Sequence, residues 1–238
     1  LSIRGAAGIA SKRSATRLVK AIQRSGSITV EVWLRTQGLQ QEGPARIVTL
    51  SKNSVQRNFT LGQEKTEIQA RLRTSKTSSN GMPAVSSTSR SLNQELAHVV
   101  YTRGRSGNVR IYLNGELNHQ QKVAGDFGQW DEQYRLALGD ELTGERPWLG
   151  DLHLVAIYNR ELVPDEVTAR FSLGAGRGAT GLLAAVVDSR PGFFETRIAP
   201  ILSRHCLECH DSVSRKGGLD LSRKELALQG GDSGKVIF

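Results

Sequence analysis

Two cysteines and a histidine in the segment HCLECH, residues 205–210, have the spacing that points most directly to chemistry. Cys206, Cys209 and His210 form the pattern C-x-x-C-H, and these cysteines are the only two in the chain. Two thiols three positions apart on a helical turn can reach the two vinyl groups on one edge of a haem and form thioethers. The next residue can then direct its imidazole to the iron. The pattern predicts covalent haem c, attached through Cys206 and Cys209, with His210 as the iron ligand.

Other chemistries for the same segment fit less well. A zinc site wants four ligands, and the two cysteines with His205 or His210 supply three at best. A redox dithiol of the thioredoxin type requires a βαβ pattern, which the sequence lacks. A disulfide across so short a loop would be strained and weakly stabilising. A chance occurrence of the short pattern stays open, although the amphipathic helix predicted before it argues against chance.

A sixth ligand for the iron is missing from the expected place. No Met or His follows His210, and Met82 is the only methionine of the chain. His205 lies on the same turn as the cysteines and is badly placed to reach the distal side. Because the sequence begins at Leu1 and stops at Phe238 without a tail, we expect a piece of a longer protein, with the distal ligand beyond Phe238. A five-coordinate iron is the alternative.

The N-terminal part begins with a predicted helix at residues 14–26, capped by Ser14 and ended by Gly26. The apolar face of this helix consists of Ala15, Leu18, Val19 and Ile22. A basic stripe lies on another face, at Arg13, Arg17, Lys20 and Arg24. A solvated helix face is the favoured interpretation of that stripe, and an anion-binding surface is the alternative.

From residue 27 onward the hydrophobic period changes to two, over many short segments. In SITVEVWLRT, residues 27–36, apolar residues alternate with Thr29, Glu31, Trp33 and Arg35, which predicts a half-buried strand. Asn114-Gly115 between two alternating runs predicts a hairpin. Many short strands joined by Gly and Asn turns predict a β-sandwich rather than a βαβ fold.

Four further segments complete the pattern. Residues 74–91 are polar and low in complexity, which predicts a long exposed loop. Residues 163–174 are predicted to form a closing helix, with Pro at its start and Gly at its end. A Gly-rich linker follows. A second apolar helical face then leads into the cysteines, and it consists of Phe193, Phe194, Ile198, Ile201 and Leu202. A short helix is predicted near residues 222–228.

Charge and hydropathy exclude two classes of function. The net charge is +9, but the basic residues are spread out and no nucleic-acid-binding motif accompanies them, so no nucleic-acid partner is expected. No apolar run approaches the ~20 residues of a membrane span, so no transmembrane segment is predicted.

The C-terminal segment resembles the start of the planctomycete-type cytochrome c domain. Four blocks carry the resemblance: F-x-x-x-I-x-P-I-L at 194–202, C-x-x-C-H at 206–210, K-G-G-L-x-L at 216–221 and G-G-x-S-G at 230–234. The resemblance implies a haem domain with electron-transfer function. The later Met-Pro segment of that family, which is expected to hold the distal ligand, is not within the sequence.

Residues 1–174 resemble the laminin-G-like, concanavalin A-like jelly-roll family. The segments SITVEVWLRT, HVVYTRGRSGNVRIYLNGE and WLGDLHLVAIYNREL carry this resemblance. It implies a two-sheet sandwich that commonly binds glycans or proteins, sometimes with calcium. Asp140, Glu141 and Asp151 are candidate calcium ligands, although their places at hairpin ends favour turn residues.

Hydrolases share that fold, and they place paired carboxylates on one strand. The adjacent pairs Asp131-Glu132 and Asp140-Glu141 point their side chains to opposite faces of a strand. Glu31 and Glu67 are single, and no E-x-D-x-x-E pattern of a retaining hydrolase is present. We therefore expect no catalytic site in the sandwich.

Together these observations predict a mainly β chain: a two-sheet jelly-roll sandwich with a short N-terminal helix, followed by a small, incomplete α-helical c-type haem domain. The expected domains are a laminin-G-like sandwich at 1–174, a linker at 175–192 and the start of a cytochrome c domain at 193–238.

The predicted function is haem electron transfer beside a glycan- or protein-binding sandwich, with a redox partner protein. We expect an exported protein, in the periplasm or at the cell surface. Two alternatives remain. One is a pure binding module with an unmetallated C-x-x-C-H. The other is the electron relay of an oxidoreductase whose catalytic domain lies beyond Phe238.

Overall fold

The structure, a computed structural model, describes residues 1–6, 8–175 and 199–235. These residues fall into two compact units, one within residues 1–175 and the other within 199–235. Apart from its first residue, the predicted linker lies outside the described residues. So do Phe193, Phe194 and Ile198 of the predicted apolar helical face. The predicted domain boundaries therefore stay predictions.

The first unit contains twelve strands among the described residues. They are β1 (Ser2–Ile3), β2 (Ile9–Ala10), β3 (Ile28–Thr36), β4 (Ala45–Asn53), β5 (Gln56–Glu64), β6 (Glu67–Leu72), β7 (Val85–Ser86), β8 (Ala97–Arg103), β9 (Asn108–Leu113), β10 (Glu116–Lys122), β11 (Arg135–Leu138) and β12 (Gly150–Tyr158). The order β1-β12-β3-β8-β9-β10 forms sheet A, and β2-β11-β4-β5-β6-β7 forms sheet B. The predicted mainly β sandwich is confirmed.

The core lies between the two sheets because alternate residues on each strand are apolar. Val30 and Val32 of β3 belong to the same buried cluster as Leu50 of β4 and Leu61 of β5. The intervening residues of β3 point away from this core. Each strand therefore presents one apolar face to the opposite sheet.

Both faces of β3 are nevertheless buried, so the prediction of a half-buried strand is wrong. Thr29, Glu31 and Trp33 are at most 5% exposed. A closing helix, α2 (Pro164–Leu173), covers them from outside the sandwich, and its Phe171 ring stacks on Trp33 with 5.8 Å between the ring centroids. The alternation of the strand and the closing helix predicted at residues 163–174 are confirmed, but the packing of this helix over the polar side of β3 was not predicted.

The N-terminal helix, α1 (Thr16–Ser25), is confirmed. Gly26 ends it in the left-handed conformation and donates its backbone N–H to the Ile22 carbonyl at 2.8 Å. The predicted cap at Ser14 is wrong, because the N-cap position is Ala15 and no side chain caps the helix. The Ser14 hydroxyl lies 3.1 Å from the hydroxyl of Thr16 instead.

The predicted hairpin at Asn114-Gly115 joins β9 to β10. Both turn residues have positive φ, +50° and +84°, which matches the primed turns that suit the twist of a two-residue hairpin. A bulge between Leu117 and His119 then interrupts the pairing of β10 with β9.

Residues 74–91 form less of an exposed loop than predicted. β7 lies within this segment and pairs with β6, and Val85 is 1% exposed. Thr74 is fully buried and donates its hydroxyl to the Ala124 carbonyl at 2.7 Å. The polar composition of residues 74–91 predicted exposure to solvent, but some of these polar groups form hydrogen bonds inside the sandwich instead.

The second unit contains two short helices among its described residues. They are α3 (Ala199–His205) and α4 (Lys224–Gln229), with a 3₁₀ turn at Lys216–Gly218 between them. The predicted helix near residues 222–228 is therefore present, as α4. In the described part of the chain, no helix has the length and apolar character required to cross a membrane.

Replacing Gly115 by Ala should destabilise the sandwich more than replacing Gly144 by Ala. Both positions have left-handed φ, +84° and +75°. A Cβ at Gly115 would lie 3.0 Å from Phe171, whereas a Cβ at Gly144 meets nothing within 4 Å. We expect losses of about 2 and about 1 kcal/mol, measured by urea unfolding with tryptophan fluorescence. Equal losses would contradict a tight contact between this turn and α2.

Candidate functional site

The C-x-x-C-H segment forms a tight turn that continues directly from α3. The backbone N–H of Cys206 donates to the Leu202 carbonyl at 2.9 Å, as in a helix. The N–H groups of Cys209 and His210 both donate to the Cys206 carbonyl, at 3.1 and 3.0 Å. The two cysteines and the histidine are therefore held on one turn.

The chain that follows packs back onto this turn. The backbone N–H of Lys216 donates to the Cys209 carbonyl at 2.9 Å, and that of Leu221 donates to the His210 carbonyl at 2.7 Å. The Lys216 ammonium lies 3.4 Å from the Cys209 sulfur. These contacts come from the K-G-G-L-x-L block, so that block supports the cysteine turn.

Two aspartates stiffen the same loop. Asp211 accepts the backbone N–H groups of Val213 and Ser214, and these bonds hold the pKa of its carboxyl below the usual value. Hydrogen bonds from Ser222 and the nearby Arg215 likewise lower the pKa of Asp220. Both carboxylates accordingly stabilise turns rather than serve as reactive groups.

The residues of this turn fit covalent haem. Cys206 and Cys209 are free thiols of intermediate burial. The Nδ1 atom of His210 is buried and has no hydrogen-bond partner among the described residues. A zinc site is not assembled there, since the described residues contain no group of three or more His, Cys, Asp or Glu side chains placed to hold a metal.

The candidate calcium ligands are already engaged with protein groups. Asp140 accepts the backbone N–H groups of Glu141 and Arg146, at 2.7 and 2.9 Å. Glu141 pairs with Arg46 at 3.0 Å, and Asp151 accepts a bond from Arg4 at 2.7 Å. In the described part of the chain these three candidates do not converge on one metal position, and their contacts agree with the favoured interpretation as turn residues.

A buried polar network lies between sheet A and α2. The Glu31 carboxylate accepts hydrogen bonds from His98 Nε2 at 3.0 Å, from the Tyr158 hydroxyl at 2.8 Å and from Arg170 Nη1 at 2.9 Å. The His98 ring also stacks on Trp33, with 4.7 Å between ring centroids. This network joins three strands to the closing helix.

Burial and charge compete at this carboxylate. Burial alone raises the pKa of Glu31, but the hydrogen bond from His98 and the charge of Arg170 lower it below the usual value. Burial and the neighbouring Glu31 raise the pKa of Tyr158 to about 12. Glu31 therefore stays ionised and Tyr158 stays neutral at pH 7. Because Glu31 is 2% exposed, a substrate cannot reach the carboxylate, and its role is to hold α2 in place.

The sandwich matches a known protein superfamily. Residues 11–168 match a family described as the concanavalin A-like lectin/glucanases superfamily. The chain belongs to this superfamily. Residues 206–238, a stretch of 33 residues, match a second family described as planctomycete cytochrome C. Comparison with curated proteins gave no significant match.

Solved structures similar to this lectin/glucanase-type sandwich include carbohydrate-binding modules. The CBM40 module of the Ruminococcus gnavus IT-sialidase, solved with α2,3-sialyllactose, is 14% identical with a TM-score of 0.55. The alignment covers 72% of this chain and 95% of the module. At this identity the similarity shows the fold alone.

Binding domains of botulinum neurotoxins are also similar. A type C neurotoxin structure, from a study of cell entry through two ganglioside molecules, is 14% identical with a TM-score of 0.50, over 70% of this chain and 41% of that one. The DC binding domain with rat synaptotagmin II is 16% identical with a TM-score of 0.46, over 63% and 36%. The alignments thus span about two fifths of these neurotoxin chains.

The Glu31 network of this lectin/glucanase-type sandwich was missed because its members are distant in sequence. Glu31 lies 67 residues from His98 and 139 from Arg170. The sequence did contain one relevant observation: Trp33, a large aromatic residue, shares the polar side of β3 with Glu31. A large aromatic residue at that position indicates an outer face that is covered rather than solvated.

Replacing Glu31 by Gln should destabilise the sandwich by about 3 kcal/mol at pH 7, since it leaves the buried Arg170 without its counter-charge. The folded-state pKa of Glu31 is lowered, so its contribution is present above its unfolded pKa and is lost as pH falls through the folded value. The difference from wild type should therefore be constant above the ordinary glutamate pKa of 4.5 and should shrink as the pH falls below it.

Urea unfolding followed by tryptophan fluorescence at several pH values measures this difference. Glu116→Gln, an equal change of charge at an exposed position of β10, should change stability by less than about 0.5 kcal/mol. A pH-independent difference for Glu31→Gln would show that the network does not depend on the ionised carboxylate.

Proposed function

We propose that the C-terminal unit carries one covalent haem c and transfers electrons. The observation that carries this proposal is the C-x-x-C-H turn itself, with two free thiols and a histidine held on successive backbone hydrogen bonds. The match of residues 206–238 to the planctomycete cytochrome C family supports it.

Each residue of the turn would have a distinct role. Cys206 and Cys209 would hold the haem through thioether bonds to its vinyl groups, and His210 would supply its imidazole to the iron. The bonds from Lys216 and Leu221 keep the turn closed, so that the histidine is presented in a fixed orientation. The haem, when bound, supplies a one-electron couple to a redox partner protein. The protein fixes the position of that couple and its surroundings.

Expression with the c-type haem maturation machinery should give a chain with covalent haem. We expect a c-type pyridine haemochrome spectrum that stays with the denatured polypeptide. Cys206→Ala/Cys209→Ala should abolish this signal, because both thioethers are lost. The neighbouring variant His205→Ala should keep the covalent haem, because the imidazole of His205 has no part in the attachment.

Absence of covalent haem in the wild-type chain, in a host that matures a reference c-type cytochrome, would contradict the proposal. The pure binding module would then be the better interpretation. If haem is present, a reversible one-electron titration without turnover of small-molecule donors would favour a relay over an enzyme.

For the sandwich we propose binding of a polysaccharide. The superfamily includes lectins by its description. The CBM40 module solved with sialyllactose aligns with 72% of this chain over 95% of its own length. Since haem c is attached outside the cytoplasmic membrane, we also propose that the protein is exported to the periplasm or the cell surface. The sandwich would then hold the redox centre near a glycan-rich surface.

The full chain should bind immobilised polysaccharides in a panel that includes neutral and acidic polymers. Cys206→Ala/Cys209→Ala should bind equally well, because the cysteines lie outside the sandwich. No retention on any polymer of the panel would contradict glycan binding and would favour a protein ligand.

A further inference from the structure

Three strands and one loop bring four arginines to the outer face of sheet B, here named the arginine cluster: Arg46, Arg57, Arg71 and Arg146. Arg46 and Arg71 each lie between two residues of the core cluster on their strand, so they face outward. A register shift around residue 58 turns Arg57 to the same side. Arg146 comes from the loop between β11 and β12.

Backbone and side-chain contacts fix the cluster. The backbone N–H of Arg46 donates to the Arg146 carbonyl at 3.0 Å. Arg57 Nη1 donates to the Thr60 hydroxyl at 2.8 Å, and Thr60 is the register partner of Arg71. The four residues therefore lie on one continuous part of the sheet surface, although they span a hundred positions of sequence.

The buried half of the cluster has one direct ion pair for its two guanidinium groups. Arg46 and Arg57 are fully buried, and the carboxylate that joins them in the interior is Glu141, which pairs with Arg46. Arg57 bonds to a hydroxyl and to the Ser54 carbonyl, and its Nε has no partner in the described part of the chain. Buried charge is weakly screened, so the charge of Arg57, which has no direct ion pair, is felt at the surface above it.

Burial and the positive charges of neighbouring arginines lower the pKa of the two buried arginines. Burial, and then the charge of Arg46, lower the pKa of Arg57 to about 9. Arg71 and Arg146 contribute in the same direction at both buried residues. The cluster is therefore close enough for its members to repel one another.

Two carboxylates at the rim offset part of this charge. Glu64 acts on Arg71 and accepts the backbone N–H of Gly43 at 3.0 Å. Glu145 is exposed and is engaged by hydroxyl groups of Ser54 and Thr143. The buried Asp140 also accepts the backbone N–H of Arg146, at 2.9 Å, so four carboxylates lie near four guanidinium groups. Among the described residues, however, Arg46 is the one member of the cluster that forms a direct ion pair with a carboxylate, so the guanidinium groups of Arg57, Arg71 and Arg146 have no direct counter-ion.

The outer half of the cluster is open to a ligand. Arg146 is exposed. Arg71 is of intermediate burial, and its Nε and Nη1 donate to the neutral side-chain oxygens of Gln69 and Asn80, at 3.0 and 3.4 Å. The Arg146 guanidinium lies beside Gly43, and it makes no side-chain hydrogen bond to another described residue. Planar guanidinium groups bind sulfate and carboxylate oxygens through paired N–H donors.

We propose that the arginine cluster binds the sulfate or carboxylate groups of an acidic polysaccharide, with Arg71 and Arg146 in contact and Arg46 and Arg57 supplying the field beneath. This proposal rests on the proposed glycan-binding function and names its ligand class and its site. The bound oxyanion is the direct counter-ion that Arg71 and Arg146 lack among the described residues.

Dextran sulfate and neutral dextran test the charge requirement on one polymer backbone. The full chain should bind dextran sulfate, with affinity that falls as salt rises, and should not bind dextran. Arg71→Gln and Arg146→Gln should each weaken the affinity about tenfold or more. Arg35→Gln removes an equal charge at an exposed position of β3 in sheet A, and should change the affinity less than about twofold.

Equal losses in all three variants would overturn the proposal, because they would show diffuse attraction to a basic protein. A thermal melt of each variant verifies folding. In the same melts, inorganic sulfate should raise the Tm of wild type and of Arg35→Gln more than that of Arg71→Gln. A rise of equal size in all of them would also contradict the site.

Polygalacturonate distinguishes carboxylate from sulfate recognition. Binding to either acidic polymer that depends on Arg71 and Arg146 supports the site. Binding to neutral polysaccharides that is insensitive to both substitutions would overturn the arginine site and leave the proposed glycan-binding function standing. Failure to bind any polysaccharide would remove both.

Discussion

The ionised carboxylate of Glu31, buried under the closing helix, is the interaction on which the sandwich depends most. Its three hydrogen bonds come from β8, β12 and α2, so one side chain joins the centre of sheet A to the end of the first unit. A buried charge is tolerated only when it is paired and fully hydrogen-bonded. The requirement for three donors therefore fixes where α2 can lie.

The aromatic residues around this network follow from the same constraint. Trp33 and Phe171 enclose His98 in a stacked arrangement, which excludes water from the Glu31 hydrogen bonds. Hydrogen bonds are stronger in such a low-dielectric environment, and unpaired groups are correspondingly costly. Sheet A is thereby buried on both faces at its centre, although its sequence alternates like a sheet with one wet face.

Local patterns could be predicted from the sequence, and long-range ones could not. The Cys206–His210 motif was found because all its chemistry lies within five residues. The Asn114-Gly115 turn and helix α1 were found because turn chemistry and helical period are local signals. The Glu31 network and the arginine cluster depend on strand order and on what covers a face. The register shift that turns the Arg57 side chain to the outer face could not be predicted, because no residue pattern around position 58 indicates a bulge.

The edges of the two sheets carry a consequence for how the sandwich meets other molecules. Three of the four edge strands in the described structure, β1, β2 and β7, are two residues long. The fourth, β10, is interrupted by a bulge and carries the polar sequence ELNHQQK. Short, polar or irregular edges offer a poor template for an added strand. Copies of the sandwich at high local concentration should therefore have little tendency to pair edge to edge. Binding to other molecules then depends on the sheet faces and the loops.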